Sequence, residues 1–516
     1  MIRACRSPTI LRSSINRMAL LCRQAPAAMR FVSFPASQLS ISDVNPKAID
    51  AKYAVRGKIP IRADELKEML ENSDDHNLPF DRIILANIGN PQQLDQKPLT
   101  WYRQVLCLLQ YPTLLHNPPS DFPADVVERA KTLHSNVGSL GAYSHSQGAI
   151  HIRKSVAKFI EERDGLEFPA NPKDIFLTSG ASAAVQYLLQ LFSNSPKLSY
   201  LIPIPQYPLY TATITLNNAR PIGYFLDESN HWSTDPAEIR QLIKENADFD
   251  IKALVVINPG NPTGAILARE DIVEICKIAA ENGIVVIADE VYQENVFKGE
   301  FISVRKVLKE LQRDFPGKYD KVQLASLHST SKGVSGECGQ RGGYMELVGF
   351  KPEVQDVIFK LALINLCSVV LGQVLMELMI NPPKKGDPSY ELYHKETQGI
   401  HKDLMHRATQ LYKSFLEMED IECNKPMGAM YLFPSLKFTK EKYPKLFEEA
   451  EKTGAIIDEV YCIELLENTG ICCVPGSGFG QKPDTYHVRT TFLPPGDEWI
   501  KRWNKFHADF VAKYTS

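Results

Sequence analysis

Between about residues 140 and 350 the apolar positions switch repeatedly between two spacings. Ile152, Val156, Phe159 and Ile160 recur at helical intervals and Gly165 follows them, which predicts a helix with a glycine stop. Val185, Leu188, Leu189 and Phe192 form a second helical stripe after Ser179-Gly180, and a third helix is predicted over 269–281. Between these lie short apolar runs without alternation, at 175–178, 201–204, 253–257, 284–288 and 322–327. A strand whose every residue is apolar suits a sheet covered on both faces. The alternation of such runs with helices predicts an α/β fold with a mostly parallel mixed sheet flanked by helices. The longest apolar stretch, 361–380, carries Asn365, Ser368, Gly372, Gln373 and Glu377, too many polar groups for a membrane span of about 20 residues. It predicts one long helix, buried between domains or subunits and ended by Pro382-Pro383. Residues 384–389 read as a linker. A helix over 404–418 and short strands near 429–433, 471–474 and 487–493 then predict a smaller α+β domain. The expected division is an N-terminal arm with part of the small domain over 33–100, a large domain over 101–385 and the rest of the small domain over 386–516.

Composition changes this picture only at the amino terminus. The 516 residues are 44% hydrophobic and 23% charged, as in an ordinary globular protein, and a net charge of -3 gives no field that would gather nucleic acid. The first 42 residues hold Arg3, Arg6, Arg12, Arg17, Arg23 and Arg30 with no lysine and no acid, and the rest of the chain has 52 basic against 61 acidic side chains. An Arg-rich, Ser-rich, acid-free start with Ile10, Leu11, Ile15, Leu20 and Leu21 able to form an apolar face is the pattern of a mitochondrial transit peptide. It predicts removal of residues 1–32 after Arg30-Phe31-Val32 and a location in the mitochondrial matrix; the alternative is a disordered basic tail. Ten cysteines without a CxxC are no disulfide framework, and Cys472 and Cys473 read as small buried residues. No zinc pattern, HExxH or Walker loop is present, and no metal is expected.

In an open parallel sheet, ligands bind beyond the carboxyl ends of the strands, so the residues that follow each run carry the chemistry. After 284–288 comes Asp289, either a helix cap or a carboxylate whose burial demands a cation. After 322–327 comes His328-Ser329-Thr330-Ser331-Lys332-Gly333, where Lys332 is either a solvated lysine or a partly desolvated amine able to attack a carbonyl. Arg341 follows nine residues later among glycines, as suits a phosphate. Asn258-Pro259-Gly260-Asn261-Pro262-Thr263-Gly264 holds two side-chain amides in a rigid turn. Thr178 to Ser182 opens a helix whose N–H groups and hydroxyls could meet an anion. An amine, a carboxylate, a cation and a helix N-terminus at strand ends together fit pyridoxal 5′-phosphate.

These segments, with Asn87-Ile88-Gly89-Asn90-Pro91, Leu140 to Gly148, Pro205-Gln206-Tyr207-Pro208, Asp289-Glu290-Val291-Tyr292 and Val488-Arg489, stand in the order found in the class I, fold-type I pyridoxal-phosphate-dependent aminotransferases, which the chain resembles from about residue 87 to 490. The resemblance implies that Lys332 holds the cofactor covalently and, once released, serves as acid and base. It implies that Asp289 keeps the pyridine nitrogen protonated, that Tyr292 and Asn261 bond the ring's phenolic oxygen, and that Tyr207, grouped with the catalytic residues, stacks on the ring. Ala181, Ser182, Ser329 and Arg341 are implied to hold the phosphate, and Tyr143 to reach the phosphate of a neighbouring subunit, so that a homodimer completes the site. Arg489 is implied to grip the substrate carboxylate, with help from Gly89 and Asn261. Within the family the likeness is greatest to members that convert L-alanine and 2-oxoglutarate to pyruvate and L-glutamate. The implied partners are thus small amino and 2-oxo acids, with no nucleic acid and no membrane. Glyoxylate or kynurenine as substrate, and a cofactor-binding protein without catalysis, are the alternatives. The distal carboxylate of glutamate has no assigned partner, the N-terminal arm with Arg56 being the one candidate. The loop Gly476-Ser477-Gly478-Phe479-Gly480 lacks dinucleotide spacing and reads as a border of the substrate pocket.

Overall fold

The apolar runs do not alternate because the sheet they form is covered twice. The fold is given by a computed structural model that describes residues 40–51, 57–72, 77–192 and 195–515. The expected leader, its processing site and Arg56 lie outside the described residues. The main sheet contains β1 (Ile175–Thr178), β2 (Leu198–Ile204), β3 (Arg220–Phe225), β4 (Asp250–Ile257), β5 (Val285–Asp289), β6 (Leu324–Ser329) and β7 (Gly343–Val348). Their order is β1-β7-β6-β5-β4-β2-β3, and only β7 runs against the rest. Successive side chains of a strand point to opposite faces. Leu254 and Val256 of β4 and Val286 and Ala288 of β5 therefore enter one core, with Ile275 and Leu308 of the helices Arg269–Asn282 and Val304–Asp314. Ala253, Val255, Val285 and Ile287 enter the other, with Val185 and Leu188 of the helix Ala181–Leu191 and Ile358 of Pro352–Ile364. Strand β3 gave no apolar run to read because it lies at the sheet edge, and Arg220 and Pro221 remain exposed.

A second, antiparallel sheet is made of β8 (Ile421–Glu422), β9 (Tyr431–Leu432), β10 (Ser435–Leu436), β11 (Val474–Pro475) and β12 (Tyr486–Thr491), with β12 pairing β9, β10 and β11. Its core includes Trp503 and Phe510 of the helix Glu498–Thr515, Leu465 of Ile457–Thr469 and Leu411 of Tyr390–Leu416. Ile59, Ala63 and Leu66 of the helix Lys58–Asn72 belong to the same core, so residues far apart in sequence share it.

The stretch 361–380 departs from the expected single helix. Pro352–Ile364 ends at Asn365, Leu366 adopts a left-handed conformation at φ 63°, and a second helix runs over Val370–Ile380. The break has side-chain partners of its own. Gln373 Nε2 donates to the carbonyl and hydroxyl of Ser368 at 3.1 and 3.0 Å, and the Val369 N–H donates to Ser179 Oγ at 3.2 Å. Three of the polar residues that excluded a membrane span, Asn365, Ser368 and Gln373, thus stand where the helix ends and restarts. Among the described residues no helix is long and apolar enough to cross a membrane.

One buried ion cluster joins the helices to the sheet. Arg305 is 1% exposed, and its Nε lies 2.8 Å from Glu346 of β7 while Nη1 lies 3.3 Å from Asp164 at the end of the helix Ile150–Asp164. Its remaining donors reach the carbonyls of Phe168 and Pro169. Removing one member of such a cluster leaves opposite charges desolvated. Arg305→Leu is therefore expected to cost about 3–5 kcal/mol, read as a lower urea midpoint; an unchanged midpoint would show the cluster to be energetically silent.

Candidate active site

A cavity of about 320 Å³ opens at the carboxyl ends of the parallel strands, where the loops of the main sheet meet β9 and β12. One end is built to receive an anion. After β1, Gly180 turns the chain at φ 78° and the helix beginning at Ala181 and Ser182 points its first N–H groups inward with no capping side chain. Arg341 lies across this turn, with Nη1 donating to the Cys338 carbonyl at 2.8 Å and Nη2 to the Ser179 carbonyl at 3.3 Å. A Cβ on Gly180 would come within 2.4 Å of Nη2, so the glycine is what lets the guanidinium approach. Ser329, the last residue of β6, lines the same cavity. Arg341 forms no ion pair among the described residues. A cation, a hydroxyl and a helix N-terminus together favour a multiply charged anion.

Asp289 closes β5 between Ile257 and Leu327 of the neighbouring strands, and it is 5% exposed. Burial pushes its carboxyl up to about 6, although the Tyr210 hydroxyl and the charge of Lys332 act the other way. Tyr210 donates to Oδ2 at 2.9 Å. Oδ1 is buried and has no hydrogen-bond partner. A buried oxygen of this kind costs free energy until a donor meets it.

Lys332 sits three residues beyond β6, and its Nζ donates to the Gly89 carbonyl at 2.8 Å. The small-residue loop is held from both sides. Asn295 Oδ1 accepts from the Gly333 N–H at 2.6 Å, and Gln96 Nε2 donates to the Val334 carbonyl at 3.1 Å. Nζ lies 5.7 Å from the centre of the Tyr292 ring. Tyr292 donates to the Tyr431 hydroxyl at 3.4 Å. Tyr207 lines the cavity just beyond β2.

Arg489 lies in β12 and is 1% exposed. Its Nη1 donates to Asn261 Oδ1 at 3.2 Å, and Nη2 donates to the Asn87 carbonyl. The guanidinium lies 4.3 Å from the Tyr431 ring centre and 4.6 Å from that of Phe479. Phe479 is in the glycine-rich loop, which packs behind Arg489 and is not among the residues that line the cavity. Arg489 has no ion pair among the described residues, and its buried Nε has no partner. A desolvated cation without an anion is poised for a carboxylate that comes from outside the chain.

Eleven of the residues singled out in the sequence thus line one cavity. Tyr143 does not; it is 78% exposed, in a loop pinned by the Ser146 hydroxyl to the Leu366 carbonyl. The sequence reading missed Tyr210, Tyr431, Asn90 and Cys338. Tyr210 carried a usable signal, standing three residues after Tyr207 at a helix start. Asn90 stood inside a quoted motif, and Cys338, whose Sγ donates to Asn90 Oδ1 at 3.2 Å, lies between Lys332 and Arg341. Tyr431 carried none, because a lone aromatic in a two-residue strand reads as core.

The comparisons with known proteins agree with this arrangement. A family profile described as aminotransferase class I and II matches residues 110–498. The chain is 58% identical over 491 residues to a Saccharomyces cerevisiae protein named alanine aminotransferase, mitochondrial, covering 93% of this chain and 82% of that one. It is 55% identical over 490 residues to another protein of that organism, named inactive alanine aminotransferase, covering 93% and 96%. A solved structure of an alanine aminotransferase from Pyrococcus furiosus superposes with a TM-score of 0.70 at 26% identity, covering 90% of this chain and all of that one. With a family match that spans both the strand-end loops and β12, the chain belongs to the class I and II aminotransferases.

Proposed function

We propose that the cavity binds pyridoxal 5′-phosphate and that the protein transfers the amino group of L-alanine to 2-oxoglutarate, giving pyruvate and L-glutamate in two alternating half-reactions. The observation that carries this reading is that two buried groups, Asp289 Oδ1 and the Arg489 guanidinium, face one cavity without their natural partners while an amine stands beside them. Family members generally use this cofactor, and its polar groups correspond in kind to the residues present. The anion site of Arg341, Ser329, Ala181 and Ser182 suits the phosphate, Asp289 Oδ1 suits a protonated ring nitrogen, and Lys332 suits the aldehyde. Tyr207 would lie on the ring, and Tyr292 and Asn261 would bond its phenolic oxygen. When bound, the cofactor supplies an electron sink next to the substrate Cα.

The chain's own groups do the rest. Tyr210 holds one oxygen of Asp289, which leaves the other aimed at the cavity, and each unit by which Asp289 raises a partner's pKa is worth about 1.4 kcal/mol. Arg489 orients a substrate carboxylate through paired N–H donors, with Asn261 and the Gly89 backbone at its sides. Lys332, whose amine already rests on the Gly89 carbonyl, takes the proton from the substrate Cα and returns it at the other end of the reacting system. The substrate pair rests on the names of the relatives. One of these, at 55% identity, is named inactive, so overall likeness does not by itself carry the activity.

The proposed assembly is a homodimer. Tyr143, Ile364 and Leu366 are exposed apolar side chains, 78%, 77% and 53% accessible, around the helix break at 365–369. A second copy of the chain covering this face would bring Tyr143 towards the partner's phosphate site. The proposed domains remain a large one over 101–385 and a small one shared by the N-terminal arm and 386–516. Delivery to the mitochondrial matrix by the leader is supported by the leader's composition and by the names of mitochondrial relatives.

Addition of L-alanine alone to the pyridoxal-phosphate-loaded protein should release one pyruvate per site, and 2-oxoglutarate should then yield one glutamate. Absence of pyruvate would leave a binding protein, and a strong preference for kynurenine would displace alanine. Lys332→Ala should lower turnover by at least about 10²–10⁴-fold, measured with cofactor in excess. Asp289→Asn should lower kcat by about 10²-fold while the urea midpoint changes little; unaltered kcat would mark Asp289 as a cap. Arg489→Lys should raise KM for both alanine and 2-oxoglutarate by about 10-fold or more, through loss of paired hydrogen bonds worth about 1.5–3 kcal/mol.

A further inference from the structure

Tyr431 lines the cavity, and neither the motifs nor the proposed mechanism employs it. It lies in β9, opposite Thr491 and next to the strand that carries Arg489. It is 3% exposed. Its hydroxyl and the Lys332 amine converge on one spot: a Cβ placed on Gly89 would meet them at 2.4 and 3.1 Å. The groups that face the hydroxyl are hydrogen-bond donors or cations. The Tyr292 hydroxyl donates to it at 3.4 Å from the turn after β5, and the Gly89 N–H points at it from the N-terminal loop. Lys332 approaches from the loop after β6, and Arg489 stands over the ring at 4.3 Å from β12. The further ionisable groups lie one step out, with Lys332 acting on Asp289 and Tyr207 on Tyr292.

Complete burial alone would raise the ionisation of this phenol. Lys332 and Arg489 outweigh that effect and bring it below the usual tyrosine range. Tyr292, equally buried but beside another phenol, is driven well above it. The Tyr431 hydroxyl, which receives the Tyr292 hydroxyl and has Lys332 and Arg489 near it, is the readier to accept. The Lys332 amine bonds the Gly89 carbonyl, and the Tyr431 hydroxyl stands on the other side of the same glycine, where it could accept from a charged amine or donate to a neutral one.

We propose that Tyr431 is a positioning residue for Lys332: its hydroxyl holds the lysine amine beside the Gly89 turn while that amine carries a proton, and its ring face keeps Arg489 in register for the substrate carboxylate. The proposal rests on Lys332 being the proton carrier. It separates two functions in one side chain, since Phe preserves the ring and removes only the hydroxyl.

The test is Tyr431→Phe in the cofactor-loaded protein, followed by activity and by pH titration of the cofactor's absorption. Loss of an acceptor for a protonated nitrogen makes that form less stable, so the absorption titration should move to lower pH by about one unit. kcat should fall by about tenfold or more, its pH profile should move in the same direction, and KM for alanine should stay within about threefold, because the ring still supports Arg489. A variant that keeps the wild-type titration and kcat would overturn the proposal, as would a rise in KM with kcat unchanged. If Tyr431→Phe does not load cofactor, Tyr431→Leu serves, in which the titration should make the same shift while KM for alanine rises because the ring beside Arg489 is lost as well; a wild-type titration there overturns the proposal too. Should the wild-type protein transaminate nothing, the reading of the reaction fails, while the absorption titration still decides the contact between Tyr431 and Lys332.

Discussion

Charge removed from water governs this molecule. Asp289 ends a fully buried strand, and Arg489 occupies the middle strand of a second sheet, yet among the described residues neither forms an ion pair. A fold that desolvates two ions and leaves them apart gives up stability that a partner could recover. Arg305 shows the contrast, because there the chain brings two carboxylates and two carbonyls to one guanidinium. The same chain that closes one buried charge cluster leaves another open, and the open one faces a cavity.

The open site depends on two sheets being brought together by segments that belong to neither. The main sheet supplies Asp289, Ser329 and Lys332 at its strand ends, and the antiparallel sheet supplies Tyr431 and Arg489. The segment 87–96 runs between them. Its carbonyl at Asn87 receives Arg489, its carbonyl at Gly89 receives Lys332, and Gln96 ties the lysine loop. Gly89 is the point where no side chain fits, with Tyr431 and Lys332 both pressed against the backbone. Arg489 and Lys332 are thereby spaced by backbone atoms, which have fewer ways to move than side chains do.

Behind the cavity the wall is aromatic. Phe479 lies against Arg489, and Trp232 and Phe433 pack with it; His487 stacks on Phe433 at 4.7 Å. The loop 476–480 is itself fastened through Asp458, which accepts from the Ser477 N–H and hydroxyl and from Gln481. An apolar wall lowers the local dielectric, which strengthens the attraction of Arg489 for an incoming carboxylate.

Much of the main sheet was legible because parallel strands covered on both faces must be apolar throughout, and the chemistry at their ends must be polar. Asp289, Lys332, Asn261 and Arg341 were found by that rule together with a family resemblance, and the cavity collects them. Strand β3 was invisible because an edge strand need bury only part of its surface, and the helix break at 365–369 was hidden because part of the backbone it frees is met by a distant side chain, the Val369 N–H by Ser179 Oγ. Tyr431 was illegible for a third reason: its identity as core or site depends on Lys332 and Arg489, which lie 99 residues before and 58 residues after it. The sequence by itself determined which positions prefer water, which turns are rigid and which side chains can hold charge, since these follow from local chemistry. Only the tertiary structure decided which charges lose their solvent together and which of them the chain leaves without a partner, because desolvation is set by neighbours far away along the chain.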